Sequence, residues 1–292
     1  MFLLDDRRIR LLHIYACRGV GQKTIEKLVS LDPTLDIIYK MTVSELMAVC
    51  GMPKKQAEMF YDDLHTTSIV RSITRKTNSF RVLTRFDDEY PPLLNEIFDP
   101  PWVLFYKGDL SLLSNEKTLA VVGTRNPSNH AFPIMKKLLV PLIRSNWCIV
   151  SGLAYGIDAI GHRLALAENG QTIAVLGSGI ESIYPPEHKQ LADEIAVSGL
   201  LLSEFLPDQP AQKWQFPVRN RLISGLAKGT LVVEARERSG SLITADQALE
   251  QGREVFAVPG SILQPSSAGT NGLIQQGAKL VLSAKDIEEE LL

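Results

Sequence analysis

LAVVG at residues 119–123, CIVS at 148–151, TIAVLG at 172–177, LLLSEF at 200–205, TLVVEA at 230–235, EVFAVPG at 254–260 and KLVLSA at 279–284 decide the fold. These runs recur every 20 to 30 residues, and each is apolar at successive positions rather than at alternate ones. A strand of that kind buries both of its faces. Between the runs lies helical spacing, over Tyr155–Glu168, Glu187–Val197, Asn220–Lys228 and Leu242–Gln251. Strands covered on both faces and alternating with helices predict a parallel sheet, so residues 119–292 read as a doubly wound, Rossmann-like α/β domain.

Toward the N-terminus the rhythm changes. Residues 76–118 carry Tyr90-Pro91-Pro92, Asp99-Pro100-Pro101 and Lys107-Gly108-Asp109 around one short apolar run, Val103–Tyr106. They predict an irregular lead-in packed on the α/β domain. Residues 1–75 read as short helices: Leu11, Leu12, Ile14 and Tyr15 precede Gly19-Val20-Gly21, and Ile25, Leu28 and Val29 follow at helical spacing. A Gly-x-Gly between amphipathic helices marks a small helical domain of the SAM-like, helix-hairpin-helix kind. Its turn either packs helices or offers backbone N–H groups to a phosphate. A weaker copy over Ser44–Leu64 has Pro53 in the hairpin, which removes one such donor. An accessory role follows for this domain.

The 292 residues fit about two domains, with 45% apolar and 22% charged residues, the composition of an ordinary globular chain. No apolar run approaches the roughly 18 residues of a membrane span, and MFLLDDRRIR is too acidic for a secretory signal. Cys17, Cys50 and Cys148 are odd in number and lack CxxC spacing, which argues against a disulfide framework or zinc site. A cytoplasmic protein is expected. Residues 1–85 hold 14 Lys/Arg against 9 Asp/Glu, and residues 86–292 hold 17 against 24. Any polyanion site in the larger part is therefore a local patch in an acidic body.

In a doubly wound sheet the ligand lies beyond the carboxyl ends of the strands. Those ends read Gly123-Thr124-Arg125, Ser151-Gly152, Gly177-Ser178-Gly179, Ser203-Glu204, Glu234-Ala235-Arg236 and Pro259-Gly260. Small residues let backbone approach a ligand. Neither GxGxxG nor GxxxxGK[ST] is present, which disfavours a dinucleotide cofactor or a hydrolysed nucleoside triphosphate. Asp158 and His162 stand four apart on one helix, but no HExxH completes a metal set, and a structural contact is the expected role. Ser151 lacks the GxSxG elbow, and His13, His65, His130 and His188 have no ligand spacing. No nucleophile stands out, so no enzyme is expected.

One stretch has the character of a binding site. From Gln209 to Val233 there are four cations, Lys213, Arg219, Arg221 and Lys228, and no acid. Within it, Lys213-Trp214-Gln215-Phe216-Pro217-Val218-Arg219-Asn220-Arg221 interleaves rings with cations. Single-stranded nucleic acid asks for that combination, cations for the backbone and rings on which bases stack. The opposing reading buries Trp214 and Phe216 in the core and leaves Arg219 and Arg221 in ion pairs.

Taken in order, SGLAYGID with His162, AVLGSGIESIYPPEH, LLSEF, FPVRNRLISGL, VVEARERSGSLITADQALEQGREVFAVPG and GTNGLIQQGA closely resemble the DprA (Smf) family, over about residues 85–285. The resemblance implies a non-catalytic protein without cofactor or metal. Such a protein binds and protects incoming single-stranded DNA and loads the RecA recombinase on it during natural transformation. RecA, single-strand-binding protein and other competence proteins are the implied partners. Gly123, Arg125 and Ser128 match the family's G[ST]RxxS motif, whose arginine contacts DNA. Lys213 and Phe216 match its KxxF pair, and Arg219, Asn220 and Arg221 its RNR element. Lys189 stands near a third basic position. A homodimer is implied through Gly269–Leu280, with Ile274 and Leu280 in the contact, and a RecA surface around Asp246, Glu250 and Glu254. Gly161 departs from the alanine that many members carry before the histidine. The competing reading is a nucleotide-processing enzyme of the phosphoribohydrolase type, which carries PGGxGTxxE. With Thr244 aligned to that threonine, Gln247 takes the glutamate's place and supplies no carboxylate.

Overall fold

The computed structural model describes residues 6–66 and 80–292. The chain divides into two units, Met1–Asp88 with Pro101–Leu104, and Glu89–Pro100 with Phe105–Leu292. The boundary expected between residues 75 and 76 lies outside the described residues. The expected lead-in is shared out: 80–88 and 101–104 belong to the first unit, 89–100 and 105–118 to the second.

Two helical hairpins build the first unit. Helices α1 (Arg7–Ala16) and α2 (Gln22–Leu31) flank Gly19-Val20-Gly21, and α3 (Val43–Cys50) and α4 (Lys54–Leu64) flank Gly51-Met52-Pro53. Asp6 caps α1 by accepting from the Arg8 N–H, and Thr42 and Glu45 form a capping box on α3. Leu11, Ile14, Ile25, Leu28, Leu46 and Phe60 are fully buried, so each helix turns one apolar stripe inward. The first glycine turn is closed over from α4. The Gln56 amide donates to the Gly19 carbonyl, and Asp63 accepts from the Arg18 backbone at 2.8 Å and from its guanidinium at 2.7 Å. That turn serves helix packing. Strand β1 (Arg81–Thr84) completes this unit with the opening residues of β2 (Val103–Gly108).

The second unit is a doubly wound α/β sheet, as the apolar runs predict. All seven runs form strands: β3 (Thr118–Val122), β4 (Cys148–Ser151), β5 (Thr172–Val175), β6 (Leu200–Ser203), β7 (Gly229–Val232), β8 (Glu254–Ala257) and β9 (Lys279–Leu280). Together with β2 they stand in the order β2-β6-β5-β4-β3-β7-β8-β9. Every pairing is parallel except β2 with β6, where Phe105 faces Ser203 and Gly108 faces Leu200. Every residue of β3 to β7 is buried, so helices cover both faces. These helices are α5 (Pro92–Asn95), α6 (Ala131–Arg144), α7 (Ile157–Ala167), α8 (Lys189–Ser198), α9 (Gln215–Gly225), α10 (Gly240–Glu250), α11 (Ala268–Gln275) and α12 (Lys285–Leu291). Trp147, Leu139, Met135, Val121, Ile149 and Phe256 form the middle of one core cluster. From β3 the chain winds outward through β4, β5 and β6, then returns to place β7 on the other side of β3. The winding therefore reverses between β3 and β7, which locates the ligand crevice.

Candidate nucleic-acid interface

A hollow of about 670 Å³ opens at that reversal. The segment after β3 contributes Gly123, Thr124 and Arg125, and the segment after β7 contributes Arg236, Arg238 and Ser239. Helix α9 adds Phe216, Arg219 and Asn220, with Lys213 just before it, and α10 adds its first turn. Topology brings these pieces together from distant stretches of sequence.

Helix α9 starts at Gln215, five residues ahead of the Asn220 that spacing suggests, with Pro217 in its first turn. Proline is tolerated there because first-turn N–H groups have no partner within the helix. The earlier start puts Phe216 on the helix and over the end of β5. A Cβ at Gly177 would sit 2.7 Å from the Phe216 ring, so only glycine lets the ring lie this close. Tyr184 leans on the same ring at 5.5 Å and is 44% exposed, and the Arg125 guanidinium stands 5.7 Å from it. Phe216 is thus half-buried between a ring and a cation, available to a flat partner.

Arg219 has a different task. It is buried, and its guanidinium donates to the carbonyls of Gly152 and Val175 at the ends of β4 and β5. A Cβ at Gly152 would fall 2.6 Å from it. Asp158 holds the other side of the same loop, accepting from the N–H of Gly152 at 3.1 Å and of Ala154 at 3.4 Å. Burial lowers the Arg219 guanidinium to about 10, against the pull of Asp158, and raises the Asp158 carboxyl. The two side chains pin the floor of the hollow. Asn220 spans to α10, donating to the Gly240 carbonyl at 3.4 Å.

The remaining predicted residues divide. Arg221 points into the protein, bonded to Glu204 at 2.6 Å and Asp99 at 2.8 Å. Ser128 is tied to Glu234 through its N–H at 2.9 Å and its hydroxyl at 2.5 Å, and so fixes the segment carrying Arg125. Lys189 is exposed at the start of α8 and lines neither this hollow nor the one beside it. Trp214 is 54% exposed and meets Phe205 edge-on. The two opposed readings of the KWQFPVRNR stretch are each half realised: its rings and Lys213 are accessible, while its arginines are engaged inside. Ile274 is half-buried on α11, and Leu280 is 40% exposed on the edge strand β9.

Sequence reasoning missed Tyr184, Arg236 and Arg238 as site residues. Glu237 interrupts the acid-free spacing that drew attention to residues 209–233. The strand-end rule already marked Arg236, and only the adjacency of β3 and β7 turns it into a wall of the hollow. Arg125, Lys213, Arg236 and Arg238 are all exposed and have no carboxylate partner among the described residues. Asp158 is the acid of the lining, and its Oδ2 is occupied by backbone.

Asp158 and His162 do not form a pair. The His162 Nδ1 lies 2.7 Å from the Thr172 hydroxyl, which itself donates to the Ile149 carbonyl, so Nδ1 carries the proton. Ser151 donates to the Val121 carbonyl, and Gln247 donates to that of Pro217. Among the described residues there is no cluster of metal-ligating side chains, and no helix is long and apolar enough to cross a membrane.

Comparison with known proteins gives one consistent answer. The family model described as DNA recombination-mediator protein A matches residues 81–292. The DNA processing protein DprA of Bacillus subtilis is 45% identical over 90% of this chain and 86% of its own length. The X-ray structure of DNA processing protein A from Streptococcus pneumoniae superposes with a TM-score of 0.86 at 38% identity, covering 97% of both chains. A Helicobacter pylori DNA processing protein A, solved for its single-stranded DNA binding mode, superposes with a TM-score of 0.66 at 30% identity, over 73% of this chain and 96% of its own.

Proposed function

Because this chain belongs to the DNA recombination-mediator protein A (DprA) family, we propose that it binds single-stranded DNA in the hollow between β3 and β7 and hands that strand to a recombinase. One observation carries the reading: four exposed cations, without carboxylate partners among the described residues, surround an accessible pair of rings, Phe216 and Tyr184, at the ligand crevice of the fold. Arg125, Lys213, Arg236 and Arg238 hold phosphates, and Phe216 stacks a base. Gly123 keeps the backbone close, Asn220 sets α9 against α10, and Arg219 and Ser128 position the loops from beneath. Arg221 acts through the ion pairs that anchor α9, and Lys189 extends the positive surface outside the hollow.

The wider role is protection of incoming DNA and loading of RecA on it in natural transformation, in the cytoplasm. The chain acts as a homodimer that meets through Ile274 and Leu280 and catalyses no reaction. Loading is driven by binding alone: the DNA-bound protein raises the local concentration of recombinase and favours nucleation of its filament, with Asp246, Glu250 and Glu254 as its docking surface. Titration of a labelled single strand against duplex and mononucleotides tests the first step. The single strand is expected to bind most tightly, with Arg125→Ala and Lys213→Ala each removing roughly 0.7 from the log–log salt slope. Equal affinity for the duplex would reject the groove. A RecA nucleation assay on strands coated with single-strand-binding protein tests the second, and no gain in nucleation would reject loading.

A further inference from the structure

A second hollow, also of about 670 Å³, lies beside the first and shares Arg125 and Asn126 with it. We propose that it holds a further nucleotide of the same bound strand, so that the polymer passes over Arg125 from one hollow into the next. The proposal rests on the first hollow being the single-strand groove. Its support is the chemistry of the second wall. Ala159, Ile160 and Arg163 come from one face of α7, the i, i+1, i+4 neighbours of a helix, and Gly156 is the residue that caps its start. Arg163 is exposed and has no carboxylate partner among the described residues. No carboxylate belongs to the lining.

The same hollow is lined by two held rings. Tyr155 is 39% exposed, donates its hydroxyl to Glu187 at 2.5 Å and meets His188 edge-on at 5.0 Å. His188 donates from Nδ1 to the Leu153 carbonyl at 2.8 Å. A ring fixed at both ends loses little freedom when a base stacks on it. One cation and one fixed ring repeat, in smaller form, the combination of the first hollow. A small metabolite would leave the shared Arg125 without purpose, whereas a polymer uses it as the phosphate contact between two bases.

The test uses the full chain and a thymidine hexamer carrying a single 5-iodouracil at successive positions. With the label near one end, irradiation is expected to cross-link Tyr155, and with the label at internal positions, Phe216, Tyr184 or Trp214. Arg163→Glu is expected to weaken the hexamer severalfold while leaving a thymidine mononucleotide, which occupies the first hollow alone, unchanged, and Arg163→Ala to remove roughly 0.7 from the salt slope. Arg163 is a surface helical position, so both variants should fold, and circular dichroism checks this. Lys213→Ala separates the failures. If it weakens the hexamer while Arg163 variants do not and Tyr155 is never cross-linked, the second hollow is overturned and the groove stands. If Lys213→Ala is also silent, both readings fall.

Discussion

At the scale of single residues, neighbouring cations of one motif do opposite work. Arg221 and Glu204 form an ion pair with side chains only 7% and 4% exposed. Arg221→Ala takes the guanidinium away from that buried carboxylate and is expected to cost about 3–5 kcal/mol, seen in chemical denaturation. Lys213→Ala, at an exposed position with no carboxylate partner among the described residues, should leave the denaturation curve in place and appear only in DNA affinity. A similar loss of stability in both variants would show that the distinction drawn from burial is wrong. His162 adds a pH dependence. Burial lowers its imidazole to about 3, with His188 and Arg219 adding to the effect, against 6.5 in an unfolded chain. The folded state thus requires the neutral ring: its contribution is intact above pH 6.5 and is lost progressively as the pH falls toward 3. At pH 5 the loss amounts to about 2 kcal/mol. His162→Gln keeps a donor for Thr172, and its stability should fall less than that of the wild type between pH 6.5 and 5. Parallel curves would refute the assignment.

At the scale of elements, the turn into α7 decides the geometry of Arg125. Gly156 has φ +76° and ψ −124°, a region open to glycine, and a Cβ there would lie 2.3 Å from the Thr124 carbonyl. Gly156→Ala should therefore displace the 123–125 segment and lower both melting temperature and DNA affinity, by about 1–3 kcal/mol in stability. Gly161 is the matched control. Its Cβ would meet only ordinary contacts, at 3.6 Å and beyond, so Gly161→Ala should stabilise α7 by about 0.5–1 kcal/mol and leave binding intact. All seven strands of the parallel sheet were legible in sequence because each lies in an apolar run, although burial on both faces holds for β3 to β7 and not for the exposed edge strand β9. Helices were less so. Spacing does not mark α6, which carries Pro133 and Pro141, and it starts α9 late because Trp214 and Gln215 offer no side-chain N-cap. The site was half legible. Local motifs identified Arg125, Lys213 and Phe216, whereas Arg238 and Tyr184 join them only through strand order and ring packing, which no local pattern records.

At the scale of the whole molecule, the expected homodimer makes a separate test. Leu280 is 40% exposed on the edge strand and Ile274 is half-buried nearby in sequence. Ile274→Glu and Leu280→Arg should yield folded monomers by light scattering, with weaker binding to long strands because two grooves no longer act together. Unfolding of both variants, or an unchanged mass, would remove this pairing. The two units are also threaded through each other in sequence, since Pro101–Leu104 returns to the first after Glu89–Pro100 has entered the second. A last consequence follows from where the groove's cations sit. They lie within residues 86–292, a stretch with 17 cations against 24 acids. Beyond a screening distance of about 8 Å at physiological salt, an approaching polyanion feels neither the acids nor the groove's cations, and attraction begins only close to the groove. Encounter therefore gains nothing from long-range steering, and lowering the salt lengthens the residence time of the strand rather than hastening its arrival.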